Sequence, residues 1–152
     1  MAMNFGARPV GSQAKRQRQL FLESLESRQL MAADSVMTWN EHLNEVVQLD
    51  NIQRGPTKSS RAYAMVQIAV YDAVNAIAQT HTPFALTTTA SQTANVDAAV
   101  AAAARTAMLE LYPAQQALID GWYQADIGAI VDSQTDIDDG IAIGELAAEL
   151  CV

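Results

Sequence analysis

The stretch Arg61-Ala62-Tyr63-Ala64-Met65-Val66-Gln67-Ile68-Ala69-Val70-Tyr71-Asp72-Ala73-Val74-Asn75-Ala76-Ile77 decides the fold. On a helical period it is apolar nearly all round, the pattern of a helix buried among others rather than laid on a surface. It predicts a helix over about residues 58–79 at the centre of an all-α domain. Gln67, Asp72 and Asn75 fall inside it and make it too polar for a transmembrane span. A carboxylate in so apolar a helix needs a partner. Arg61 and Arg105 are the candidates, and no nucleophile or ligand set accompanies Asp72, so its expected role is to fix this helix against a neighbour.

Outward from that helix, four more segments carry a helical period. The first spans about residues 38–50, with Thr38 as N-cap, Glu41 completing a capping box, and Trp39, Leu43, Val46, Val47 and Leu49 as its apolar side. Asn51, Gly55 and Pro56 end it. Beyond a Thr-rich link at 80–94, a third helix runs over about 96–112 with Asn95 as N-cap and Asp97 facing the helix dipole. Ala98, Ala99, Ala101 to Ala104 and Ala107 allow a neighbour to approach to about 8 Å between axes. Pro113 stops this helix and starts the fourth, about 114–130. The fifth, about 136–151, places Ile137, Ile141, Gly144, Ala148 and Cys151 along one side, and Gly140 and Gly144 leave a flat strip for close packing. No strand pattern appears, so five packed helices are expected.

Composition sets the outer limits. The chain has 152 residues, half of them hydrophobic and 17% charged, enough for one packed domain. Alanine supplies 28 residues and aromatics only 6%, which favours closely packed helices over a β-sandwich. Cys151 is the single cysteine, so neither an intramolecular disulfide nor a cysteine-built zinc site is available. The net charge of −8 argues against nucleic acid and anionic membranes as partners.

That charge is divided. Residues 1–33 carry five basic and two acidic side chains, while residues 34–152 carry four basic and fifteen acidic ones. A basic leader (1–34) on an acidic body (35–152) is a layout of targeting segments. Residues 1–19 are expected to be disordered, because Gly6, Pro9 and Gly11 discourage a helix; residues 20–34 have the pattern of a short amphipathic helix. Glu23, Glu26 and Arg28 interrupt the apolar run that an ordinary signal peptide needs.

The run Leu25-Glu26-Ser27-Arg28-Gln29-Leu30-Met31-Ala32-Ala33-Asp34 resembles the LEPR-XLL segment at the N-termini of large exported proteins of planctomycete-type bacteria. Ser27 stands where the usual form has proline, and Met31 where it has leucine. The resemblance implies export, to the cell surface or beyond.

The body carries a second resemblance. Trp39-Asn40-Glu41, Ala64 to Ile77, Asp97 to Ala104, Leu111-Tyr112-Pro113-Ala114-Gln115 and Gly140-Ile141-Ala142-Ile143-Gly144-Glu145 follow one another in an order similar to the N-terminal helical part of bacterial vanadium-dependent haloperoxidase-like proteins. These belong to the superfamily of type 2 phosphatidic acid phosphatases. The resemblance implies an oxyanion site of vanadate or phosphate built from C-terminal helices, with a lysine, an Arg-Pro pair, a Ser-Gly-His run and an arginine followed by a histidine. Such residues converge because an oxyanion needs cations and donors around it. None of them is present: the single Arg-Pro is Arg8-Pro9, and no Lys, Arg or His follows Arg105 while nine carboxylates do. The expectation is therefore a truncated or split member, a scaffold with no catalytic, cofactor-binding or metal-binding residues of its own. It would self-associate or pair with a missing C-terminal helical half through an exposed patch including Met65, Ile68, Ile141 and Leu146. The alternatives are an exported α-helical interaction or surface protein, and a phosphatase-type member of the same superfamily.

The remaining constellations read as ordinary structure. His42 with Glu41 and Glu45 gives half of a di-iron-like His-x-x-Glu pattern without its other half, and reads as a solvated helix surface. His81 beside Pro83 reads as a loop residue. Asp132, Asp136, Asp138 and Asp139 miss the EF-hand register, with Gly140 one place early and Ala147 where the glutamate belongs, and suit a helix N-terminus.

Overall fold

In the computed structural model, residues 26–50 and 55–152 are described, with side chains from Asp34 onward; the expected disorder of residues 1–19 lies outside them. They form five α-helices, α1 (Glu26–Leu49), α2 (Pro56–Ala78), α3 (Val96–Leu111), α4 (Gln116–Ala129) and α5 (Gln134–Glu149), with a short 3-10 turn at Pro113–Gln115 before α4. There are no strands among the described residues, and none of their helices is long and apolar enough to cross a membrane.

Local chemistry sets most of the ends. Asn95 caps α3, its side-chain oxygen accepting from the Ala98 amide at 2.9 Å, with Asp97 in the first turn. Ser133 caps α5 by accepting from the Asp136 amide. Pro56 occupies the first turn of α2, where its missing N–H is not needed, after Gly55 at φ 116°, a value that disfavours a side chain. The start of α1 departs from the expectation. Thr38 is not an N-cap, and no capping box forms with Glu41, because the helix begins at Glu26 and passes through the 34/35 junction without a break. The period of the leader and that of the body are in phase, so one helix serves both.

The hub of the bundle is α3 and not α2. Each of the other four helices packs on α3, and its residues Ala98 to Ala104, Ala107 and Met108 are all buried. On α2, by contrast, Arg61, Ala64, Tyr71 and Ala78 face solvent. The alanine run outranks the more apolar α2 because small side chains on every face admit a neighbour on every face. α1 runs parallel to α3, joined at its start by the Ser35 hydroxyl donating to Asp97 at 2.6 Å. α2 runs antiparallel to α1: Gln67 donates to Asn40 at 3.2 Å and the Tyr63 hydroxyl to Asn44. α4 returns along α3, held by Arg105, which donates to Asp120 at 2.7 Å and lies over the Tyr123 ring at 4.8 Å. That hydrogen bond holds the Asp120 carboxyl below the usual aspartate range.

α5 then runs parallel to α3, with two of its glycines against the α3 backbone. A Cβ on Gly140 would strike the Asn95 carbonyl oxygen and lie 3.2 Å from Ala98 Cβ. One on Gly144 would strike the Ala99 carbonyl oxygen and lie 2.9 Å from both Ala102 Cβ and the Ala103 nitrogen. The glycine strip is thus a backbone-to-backbone contact. Of the four residues expected on an exposed patch, Leu146 is 37% exposed, while Met65, Ile68 and Ile141 are half-buried.

Ordinarily Gly→Ala inside a helix stabilises by up to about 1 kcal/mol. Gly140→Ala and Gly144→Ala should instead destabilise by about 1–3 kcal/mol, because the new methyl meets backbone that cannot give. Gly121→Ala in α4, with open space around the added carbon, should be neutral or stabilising. Urea unfolding of the three variants checks the contrast; equal effects would remove the close-approach argument.

Candidate functional site

Three features of the fold bring polar chemistry together. The first is a clamp made by one end of α2 on the link that follows it. Asp72, fully buried, is not paired with Arg61 or Arg105 as expected. Its Oδ1 accepts from the Phe84 amide at 2.7 Å, and its Oδ2 accepts from the Ala85 and Leu86 amides at 2.7 and 2.9 Å. Three successive amides converge on one anion, the arrangement by which backbone alone satisfies a buried carboxylate. Asn75 supports it by donating to the His81 carbonyl and accepting from the His81 amide, each at 2.9 Å. The Tyr71 hydroxyl donates to the Thr82 carbonyl at 2.8 Å, and the Ala90 amide donates to the Ala76 carbonyl at 2.9 Å. Gln79, in the left-handed region at φ 53°, turns the chain back so that this can happen. Asp72 is buried and hydrogen-bonded, as expected, but it holds the link rather than a neighbouring helix; what sequence could not show is that its partners are amides, which every residue but proline has.

The second feature is an open cleft of about 810 Å³ where α1 and α4 flank the start of α3. Asp34, Ser35, Thr38 and Trp39 form one wall, and Asp126, Ala129, Ile130 and Val131 the other. Ile77 and Ala78 close it from α2, and Thr93 to Asp97 from the α3 N-terminus. With Asp132 it has four aspartates and no Lys, Arg or His among its described lining residues. Two of the four are engaged, Asp97 by Ser35 and Asp132 by the Asn95 side-chain amide at 2.9 Å. Such a surface repels an oxyanion.

The third feature borders the cleft. His42 is not a solvated surface residue. It is half-buried, with its ring stacked on Trp122 of α4 at 4.1 Å and 9°, and edge-on to Trp39 at 5.3 Å and 85°. Burial holds the imidazole below the ordinary histidine value, against the pull of Asp126, Glu45 and Glu41. The i, i+3 spacing of Trp39 and His42 was visible in the sequence. Trp122, eighty residues on, was not. His81, as expected, is exposed in the link, its ring 2.7 Å from the Thr80 hydroxyl.

Among the described residues no three of His, Cys, Asp and Glu are placed to hold a metal ion. Asp136 and Ser133 serve the α5 cap, in line with the helix-N-terminus reading of the aspartates there. Of the described Lys and Arg side chains, Arg105 is committed to Asp120, while Lys58 and Arg61 are exposed in the first turns of α2.

Comparison with known proteins adds one finding. Residues 16–35 match the family described as Planctomycete extracellular. The leader is of the planctomycete extracellular type. No curated protein and no solved structure matches the chain, so the haloperoxidase resemblance of the body stands on its residues alone. The matched segment overlaps the first turns of α1, up to the Ser35 that binds Asp97.

Asp72→Ala should destabilise by about 1–3 kcal/mol, since it strands three amides beside an apolar helix. Amide hydrogen exchange at Phe84, Ala85 and Leu86 should accelerate in that variant by far more than exchange in α4. Uniform acceleration would mean that the clamp does not act locally.

Proposed function

We propose that this chain is an exported α-helical scaffold, the N-terminal helical part of a haloperoxidase-like protein, with no halide oxidation or phosphate-ester hydrolysis of its own. The observation that carries the reading is where the resembling segments lie. Trp39, Asp72, Asn75, Ala98 to Ala104, Tyr112, Gly140 and Gly144 are all buried at helix contacts or in the clamp. Residues that hold helices together are what a scaffold needs, and none of them offers a reacting atom to solvent. Export is supported by the leader match. A missing helical half would supply the oxyanion cradle. The second reading, an exported interaction module, is favoured by one observation, the open cleft lined by apolar side chains and four aspartates.

Two experiments test the proposal. Vanadate, bromide and hydrogen peroxide added to the purified chain should give no halogenation of a phenol dye above a denatured control, and a phosphate ester should not be hydrolysed. Saturable turnover abolished by His42→Ala or His81→Ala would show a complete enzyme. A secreted reporter carrying residues 1–35 at its N-terminus should leave a planctomycete cell, and retention of that fusion in the cytoplasm would remove the export half of the proposal.

A further inference from the structure

We infer that the acidic cleft is the docking site for the basic part of this chain's own leader, residues 8–18, which carry Arg8, Lys15, Arg16 and Arg18 and no carboxylate. The cleft has the makeup of a peptide groove. Ile77, Val96 and Ile130 give it apolar surface, with Asp34 on the α1 wall and Asp126 on the α4 wall. Val131, on the α4 wall, is 99% exposed. Trp39, on the α1 wall, is 2% exposed, and its indole N–H has no acceptor among the described residues. An extended peptide brings what both groups lack, apolar cover and carbonyl acceptors.

Charge selects the occupant. Among the described residues the ion pair is Arg105 with Asp120, and Asp34 and Asp126 have none. Asp97 and Asp132 accept from neutral donors, the side chains of Ser35 and Asn95. The described cations of the body sit elsewhere. Lys58 and Arg61 are in the first turns of α2, and the helix meets the cleft at its other end, sixteen residues or about 24 Å beyond Arg61. Five of the chain's nine Lys and Arg precede Asp34, and four of those lie in residues 8–18.

The tether permits the contact and strengthens it. Glu26 precedes Asp34 by eight residues of α1, about 12 Å along the helix. The eight residues from Arg18 to Glu26 extend up to about 26 Å, so Arg18 and the residues before it can return to Asp34 with length to spare. A segment tied this closely meets its site at an effective concentration of about 1 mM, so a contact with a dissociation constant of about 0.1 mM is about nine-tenths formed. The leader of a second copy at tens of micromolar competes poorly with that. Residues 16–18 open the segment matched to the planctomycete extracellular family, so docking covers the front of that segment.

Two measurements on the full chain test the docking. In the first, trypsin is added at low salt and cutting after Lys15, Arg16 and Arg18 is followed by mass spectrometry. Cutting there should be about tenfold slower than in the double variant Asp34→Asn, Asp126→Asn, the factor expected of a site nine-tenths occupied. The difference should vanish at about 1 M salt, where the screening length falls to about 3 Å. The second needs no variant. Lys15 is one of two lysines, and Lys58 lies at the far end of α2 from the cleft. A carbodiimide, which joins an amine directly to a carboxylate, should couple Lys15 within the monomer to one of Asp34, Asp97, Asp126 and Asp132 at low salt only. Equal cutting of the two chains, or coupling of Lys15 to carboxylates outside the cleft, would overturn the docking. Protection that rises with protein concentration would assign the cleft to the leader of a second copy and overturn it equally.

Discussion

The distance between α3 and α5 governs this molecule. Two glycines on α5 lie against the backbone of α3, and alanines fill the rest of that contact. At such a separation there is no room for a branched side chain, and the stabilisation comes from many short van der Waals contacts rather than a few large residues. The same small residues let α1, α2 and α4 reach α3 on its other faces. The largest fully buried side chains are few: Trp39, Tyr112, Leu43, Met108 and Ile119. The low aromatic content of the chain and its alanine excess are thus two sides of one packing solution.

Against that hub, the clamp solves a different problem. A long link joins α2 to α3, and such a length left to itself wanders. Asp72, Asn75 and Tyr71 fold it back on the helix it has just left, so that it delivers Asn95 to the α3 N-cap. The Asn95 backbone amide also donates to the Asp136 carbonyl at 2.8 Å, which ties the start of α3 to the start of α5. Link, cap and glycine strip are therefore one continuous arrangement.

How much of this the sequence disclosed depended on the range of each signal. Helix number, the Asn95 cap and the glycine strip are written in residues a few positions apart, and local pattern exposed them. The burial of Asp72 was legible because a helix apolar nearly all round has no solvated face on which to put an aspartate. Its partners were not, since backbone amides leave no mark in side-chain identity. Hydrophobicity alone pointed to α2 as the centre, where size was the governing variable. The acidic cleft and the His42 stack escaped for a third reason: Asp34, Asp97, Asp126 and Asp132, like His42 and Trp122, meet only after the helices have been arranged.

The unbroken passage of α1 from the leader into the body joins the two without a linker. A leader joined through a flexible linker can be gripped and threaded while its cargo does as it pleases. Here the matched segment ends inside the helix that carries Trp39 and Leu43 into the core. Ten residues of the matched segment, 26–35, belong to that helix. α1 in turn covers α3 and supplies Ser35, the last residue of the matched segment, to Asp97. Leader and bundle thus share one continuous helix, and the packing of the bundle reaches into the matched segment itself.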